Sequence, residues 1–316
     1  GQDDVTVLPT EATRMDAALK KAGCNTKLQL IPGGHRACFD MIREEEPLRW
    51  LLTNKRNPAP AQCKLKQFSI QFAKRDGVEV TAIKGALEPI ELEWTETNGQ
   101  KKFTKESEVI LQKSVNGAIA PPLAAKLLKS RELCGPVRQA ICAPFTIVYG
   151  TKGNAVVNKV SAERFAQEWL DFTRSPARLK ADTEVTDADK RERNLFLFGE
   201  EQDNAIHALI AKDLPISVKN GSVTIGEKSV PLAGKGIMYI FPNPLANMKR
   251  AVVICAGLPY GEKIGINHKL DLIPDFLLYD AQNFDSDGTS TNKAICAGFF
   301  NGEWKFDPKA MWWFGE

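Results

Sequence analysis

Apolar positions in the first 57 residues follow a helical spacing and then an alternating one. Ala12, Met15, Leu19 and Ala22 share one helix face, with Thr10 as N-cap after Pro9, Glu11 in the first turn and Gly23 as the stop. In TKLQLI, Leu28 and Leu30 alternate with polar neighbours, which predicts a strand over 26–31. A PGGH turn follows at 32–35, and a short helix is predicted over about residues 44–53.

The Pro-rich stretch NPAPAQ at 57–62 marks a domain boundary. Beyond it the period changes to two. KLKQFSIQFA, VEVTAI, IELEWTE and VILQK, separated by RDG, KGALEP and TNGQKK, predict a small antiparallel β layer over residues 63–113. From residue 136 apolar strands alternate with helices. APFTIVYG (143–150), NLFLFG (194–199), GIMYIFPNPL (236–245), RAVVICAG (250–257), DFLLYDAQ (275–282) and AICAGFF (294–300) read as strands. SAERFAQEWLDFT (161–173), with Ser161 as N-cap and Phe165, Trp169 and Phe172 on one face, and NAIHALIAK (204–212) read as helices. Strands ending in Gly or Pro and followed by helices predict a mostly parallel, three-layer α/β sheet. The charged run 174–193 is expected to be a surface excursion. The fold class is therefore α/β overall, in three parts: residues 1–57, a β-rich module at 58–135 and an α/β module at 136–316.

Composition narrows the function classes. The chain has 316 residues, 43% hydrophobic and 26% charged, as in a globular protein. A formal net charge of +3 without a basic block argues against nucleic acid or an anionic membrane as partner. No apolar run approaches a membrane span. The seven cysteines are scattered, form no C-x-x-C and do not cluster with histidine, so zinc is not expected and buried free thiols are. The chain opens on GQDD, neither a natural start nor a signal peptide, and is expected to be a processed or truncated form.

Chemistry at neutral pH has few candidates, because the only histidines are His35, His207 and His268. A carboxylate loop (Asp3, Asp4), a helix, a strand and a loop histidine (His35) form the order in which a triad acid and base reach one sheet edge. On spacing alone it fits a surface acid and an unrelated turn histidine equally well. GTKGN at 150–154 is a weak anion-cradle pattern, read as a plain turn. NFDSDG at 283–288 mimics the start of a calcium loop but has Ala294 where a bidentate Glu is needed. His207 and Asp203 read as a surface pair, and His268 has no evident partner. Phe241, Asn243 and Pro244 suit a rigid loop at the ligand-binding edge of the second sheet. Trp304, Trp312, Trp313 and Phe314 are expected to anchor the tail to the core.

GQDDVTVLPTEATRMDAALKKAG followed by LQLIPGGH resembles the end of the catalytic domain in prolyl-oligopeptidase-like and esterase-like α/β-hydrolases. Their pattern is G-x-x-D-x-x-V-P, a helix ending in Gly, a strand and a G-G-H turn. The resemblance implies that Asp4, three before Val7, is the triad acid and His35 the base. Leu8 intervenes before Pro9, and Asp3 remains an alternative acid. Later segments, among them CGPVRQAICAPFTIVYGT (134–151) and RNLFLFGEEQDN (193–204), resemble the long extension that follows the hydrolase domain in bacterial proteins of this kind. A secreted or periplasmic location is implied by the same resemblance.

No G-x-S-x-G occurs anywhere in the chain. The expectation is thus the C-terminal part of a serine hydrolase of esterase or peptidase class, holding acid and histidine without the nucleophile and inactive alone. Its expected partner is the missing hydrolase portion or a second copy of the chain, and no cofactor or metal is expected. The alternative is a non-catalytic accessory or ligand-binding module.

Overall fold

The computed structural model describes residues 1–43, 45–55, 62–119, 127–261, 269–271, 273–280, 283–284, 290–291 and 293–315. The chain divides into two compact units, Gly1–Pro60 and Ala61–Glu316, and its class is α/β. The Pro-rich residues 57–61 lie outside the described residues.

The first unit holds α1 (Pro9–Lys21), α2 (Ala37–Arg43) and α3 (Glu46–Thr53). Thr10 is not the N-cap of α1. Pro9 takes the first helical position, where its missing N–H costs nothing, and Leu8 precedes it without a side-chain cap. The predicted stop is present: Gly23 has φ +76°, its N–H donates to Lys20 O, and Cys24 N donates to Leu19 O. These are the two bonds of a Schellman motif. The strand expected over 26–31 does not form. The segment is neither helix nor strand and pairs with no described strand, and Leu28 and Leu30 stay exposed. Alternation selects a face, yet a ladder also needs a neighbour to accept its N–H groups. Among the described residues of this unit only Asp4 and Ala37 are buried.

The second unit opens with seven short strands: β1 (Gln62–Gln67), β2 (Lys74–Arg75), β3 (Val78–Ile83), β4 (Ile90–Thr97), β5 (Gln100–Glu106), β6 (Ile110–Val115) and β7 (Ala118–Ile119). They form two antiparallel sheets, β1-β4-β5 and β2-β3-β6-β7. Leu65, Ile90, Leu92 and Trp94 of the first pack with Val78, Val80 and Ile83 of the second in one core. KLKQFSIQFA is strand only to Gln67, after which Ile70–Phe72 make a 3₁₀ turn held by Ser69 Oγ accepting from Gln71 N at 3.2 Å. β5 was hidden in the charged run after Thr97. Asn98 and Gly99, both at positive φ, make a two-residue hairpin turn between β4 and β5.

Then follow β8 (Phe145–Tyr149), α4 (Ala155–Thr173), β9 (Arg178–Ala181), α5 (Asp187–Glu192), β10 (Asn194–Phe198) and α6 (Ala205–Ile210). A small antiparallel meander, β11 (Ile216–Lys219), β12 (Ser222–Ile225) and β13 (Lys228–Pro231), precedes β14 (Lys235–Pro242) and β15 (Ala251–Gly257). β16 (Phe276–Asp280), the hairpin β17 (Asn283–Phe284) and β18 (Ser290–Thr291), β19 (Ala294–Phe300) and β20 (Phe306–Trp313) complete the chain. The main sheet has eight strands in the order β20-β19-β16-β14-β15-β10-β8-β9. It is parallel from β9 to β15 and antiparallel from β15 to β20. The expected parallel arrangement thus covers one half, because the connections from β14 to β15 and from β19 to β20 are too short for a crossover helix.

Helices cover both faces. Phe165 of α4 stacks on Phe196 at 5.1 Å and Trp169 meets Phe145 edge-on at 4.9 Å. On the opposite face Asp189 of α5 takes Arg178 Nη1 at 2.8 Å and Lys180 Nζ at 2.6 Å from β9. α4 begins at Ala155 after Asn154, so Ser161 lies inside the helix and is not its cap. The charged run 174–193 is not a surface excursion either: it supplies β9 and α5 and buries Asp182 and Asp189. Trp304 packs against Phe241 and Phe300, whereas Trp312 and Phe314 are exposed. Cys63, Cys134, Cys255 and Cys296 are buried, Cys24, Cys38 and Cys142 are exposed, and none of the seven forms a disulfide.

Candidate functional site

In the first unit the structure brings Asp4 and His35 together. Asp4 Oδ1 accepts from Thr6 N and Val7 N, each at 2.9 Å, which fixes the carboxylate plane. Its Oδ2 lies 3.0 Å from His35 Nδ1. The bond from Val7 N–H, joined by those from His35 and Thr6, holds the Asp4 carboxyl below its usual range against the opposing effect of burial. An ionised acceptor at Oδ2 places the ring proton on Nδ1 and leaves Nε2 as the basic nitrogen. Asp4 is 8% exposed at its side chain and His35 57%, so the carboxylate is enclosed and the imidazole is open to solvent.

Asp3 does different work. Its N–H donates to Gly33 O at 3.1 Å and its Oδ2 accepts from Gly33 N at 3.2 Å, which pins the histidine turn to the first loop. Gly33 sits at φ +111°, a conformation side chains resist. Of the two aspartates it is Asp4 that holds the imidazole. The first 60 residues contain no serine. Cys38 Sγ donates to the His35 carbonyl oxygen at 3.8 Å.

In the second unit the chain runs from β8 through α4 to the edge strand β9, then returns past β8 to β10. The winding reverses between β8 and β10, and open α/β sheets bind ligands at the carboxyl ends of such strands. The loops there are cross-braced. Asp182 accepts from Thr151 Oγ1 at 2.8 Å and from Ala205 N at 2.7 Å. Asn204 caps α6 through Oδ1, and its Nδ2 donates to Phe198 O at 3.1 Å. Asp203 receives the GTKGN amides: Lys152 N donates to its carbonyl at 3.0 Å and Asn154 N to its Oδ1 at 3.4 Å. Two of that turn's donors are therefore spent on Asp203. His207 is buried, not a surface partner of Asp203. Burial pushes its pKa down, and its Nδ1 lies 3.0 Å from Gly199 O.

A cleft of about 350 Å³ opens at this edge between α4, the Gly199–Asn204 loop, the turn before β14 and the end of β15. Asn158, Glu200 and Asp203 line it and are buried. Sequence reading missed all three as site residues. The usable signal was the polar row Asn154, Asn158 and Ser161 at helical spacing, where an apolar stripe would pack. The Phe241–Pro244 loop does not share this edge. β14 runs antiparallel to β15, so Pro242 pairs with Ala251 at the opposite end. Asn243 there is structural, with Nδ2 donating to Lys190 O at 2.9 Å and Oδ1 accepting from Leu245 N at 2.9 Å.

His268 and most of the NFDSDG run lie outside the described residues. Among the described residues no group of three or more His, Cys, Asp or Glu is placed to hold a metal ion, and no helix is long and apolar enough to cross a membrane. Compared with known proteins, the chain matches no family model, no curated protein and no solved structure.

Proposed function

We propose that Asp4 and His35 are the acid and base of a serine-hydrolase triad of esterase or peptidase class, whose nucleophile comes from outside these 316 residues. The observation that carries the reading is the 3.0 Å contact between Asp4 Oδ2 and His35 Nδ1, with the carboxylate oriented by two backbone N–H groups. In such a triad the acid fixes the tautomer and stabilises imidazolium, while Nε2 takes the nucleophile's proton. The resemblance of GQDDVTV and LQLIPGGH to α/β-hydrolases supports the same roles. With no G-x-S-x-G in its sequence, the chain by itself is silent, since loss of the nucleophile removes almost all turnover.

The test has two arms. Purified as it stands, the chain is expected neither to react with a fluorophosphonate nor to hydrolyse p-nitrophenyl acetate faster than its His35→Ala variant. Joined to a polypeptide bearing an in-frame G-x-S-x-G, encoded immediately upstream, it is expected to become active and to lose about 10⁴-fold in turnover on Asp4→Asn. Fluorophosphonate labelling of the chain alone, or an active assembly indifferent to His35→Ala, refutes the reading. A second reading, a ligand-binding module, is favoured by the cleft of the second unit.

A further inference from the structure

The second unit's cleft offers an unsatisfied donor beside two acceptors. Asn158 is 7% exposed, and its Nδ2 has no hydrogen-bond partner among the described residues. A buried amide left unpaired costs free energy, so such a group marks a place for a ligand or an ordered water. Opposite it stand Glu200 and Asp203, buried at 7% and 2% exposure. Glu200 Oε2 accepts from Gly221 N at 2.7 Å and from Gln202 Nε2 at 3.1 Å, and both Glu200 and Gly221 line the cleft. Lys235 lines the rim, which gives two carboxylates to one ammonium.

Each ligand class can be weighed against that lining. An anion meets a net negative charge, and two of the loop amides that would have held it, Lys152 N and Asn154 N, are bonded to Asp203. A metal ion lacks a third ligand of His, Cys, Asp or Glu among the described residues. A cation satisfies the carboxylates but offers no acceptor to Asn158 Nδ2 and meets Lys235. An apolar ligand leaves the buried Asn158 Nδ2 unpaired. A hydroxyl both donates and accepts, so adjacent hydroxyls on one small molecule serve Glu200, Asp203 and Asn158 together. The volume, about 350 Å³, lies within the range of about 300–1,000 Å³ for small-molecule sites.

We infer that this cleft binds a neutral polyhydroxylated ligand, a sugar of one or two rings, through Asn158, Glu200 and Asp203. The inference deepens the ligand-binding reading and is independent of the Asp4–His35 pair.

The test is a ¹H–¹⁵N titration of the 316-residue chain with glucose, galactose, xylose and maltose, and separately with inorganic phosphate and with spermidine. At least one sugar is expected to shift the Asn158 side-chain amide together with the Gly199 and Gly257 amides. Asn158→Ala is expected to weaken that binding by about tenfold or more. Glu200→Gln keeps an acceptor for Gly221 and is expected to weaken it similarly, which serves if the first variant does not fold. Shifts produced only by phosphate or spermidine overturn the sugar while leaving a binding cleft. Silence of these resonances toward the whole panel, or sugar binding that survives both substitutions, overturns the inference outright.

Discussion

Lys129 Nζ donates to Asp275 Oδ2 at 2.6 Å across 146 residues of chain, with both side chains buried. The same oxygen accepts from Phe300 N at 2.9 Å, and Lys129 lies 5.0 Å from the centre of the Trp304 ring. Burial raises the Asp275 carboxyl above its usual range, and the lysine opposes that rise. The pair ties the segment leaving the β-rich part to the head of β16 and the end of β19. Removing one partner strands the other charge in the interior. Asp275→Leu or Lys129→Met alone should each cost about 3–5 kcal/mol, measured by urea unfolding. Lys129→Met with Asp275→Leu should recover most of that loss, since an apolar pair leaves no orphan charge. Additive losses in the double variant contradict this account.

Gly302 is the second tie between the same two parts. Its N–H donates to Lys84 O at 2.9 Å and its carbonyl accepts from Lys129 N at 2.8 Å. A Cβ built there would lie 1.7 Å from Ile83 O, a backbone atom that cannot turn aside. Gly302→Ala is therefore expected to destabilise the second unit by about 2–4 kcal/mol. Differential scanning calorimetry reads it directly. An unchanged melting temperature shows that the Gly302 turn and the end of β3 part without penalty.

Asp189 makes acid sensitivity predictable. Burial alone would raise its carboxyl, but Lys180, the Thr186 hydroxyl and N–H, and Arg178 outweigh it and hold the carboxyl well below the usual range. A depressed folded-state value means that its contribution is complete above the unfolded value, about 3.9, and is lost as pH falls from there toward the folded one. Asp189→Ala should cost about 2–3 kcal/mol at pH 7, through two charged hydrogen bonds and half a capping box. The gap between wild type and variant should narrow below about pH 4. A gap that persists or widens in acid means that the carboxylate's charge is not what stabilises α5.

The strands with apolar residues on both faces were legible because burial on two sides leaves a continuous run: FTIVY, NLFLF and AVVICAG are β8, β10 and β15. Elements that bury little were not. β5, QKKFTKE, is a charged edge strand, and β9 is joined to α5 through Asp189 and its two cations. The unpaired 26–31 segment shows the reverse limit, since period-two alternation carries no information about whether a partner strand exists. Site legibility followed the same division. The meeting of Asp4 and His35 was readable as a local order of loop, helix, connecting segment and turn. Asn158, Glu200 and Asp203 converge only through the sheet's strand order, which no local spacing encodes.

The Asp4 carboxylate organises the first loop as well as the imidazole, and the two effects separate by experiment. Asp4→Ala removes the acceptor for Thr6 N and Val7 N along with the partner of His35 Nδ1. Both amides should lose protection from hydrogen exchange, and the downfield Nδ1 proton of His35 should vanish from the ¹H spectrum. His35→Ala should erase only the second signal, because the two backbone bonds go to Oδ1 and do not pass through the ring. Acid should reproduce the first loss in the native chain. The folded carboxyl sits below its usual value, chiefly through Val7 N–H, so loop order is complete above about pH 4 and falls away as pH drops further. Exchange at Thr6 and Val7 followed from pH 7 downward checks the sign. If protection disappears well above pH 4, the carboxylate is not what holds this loop.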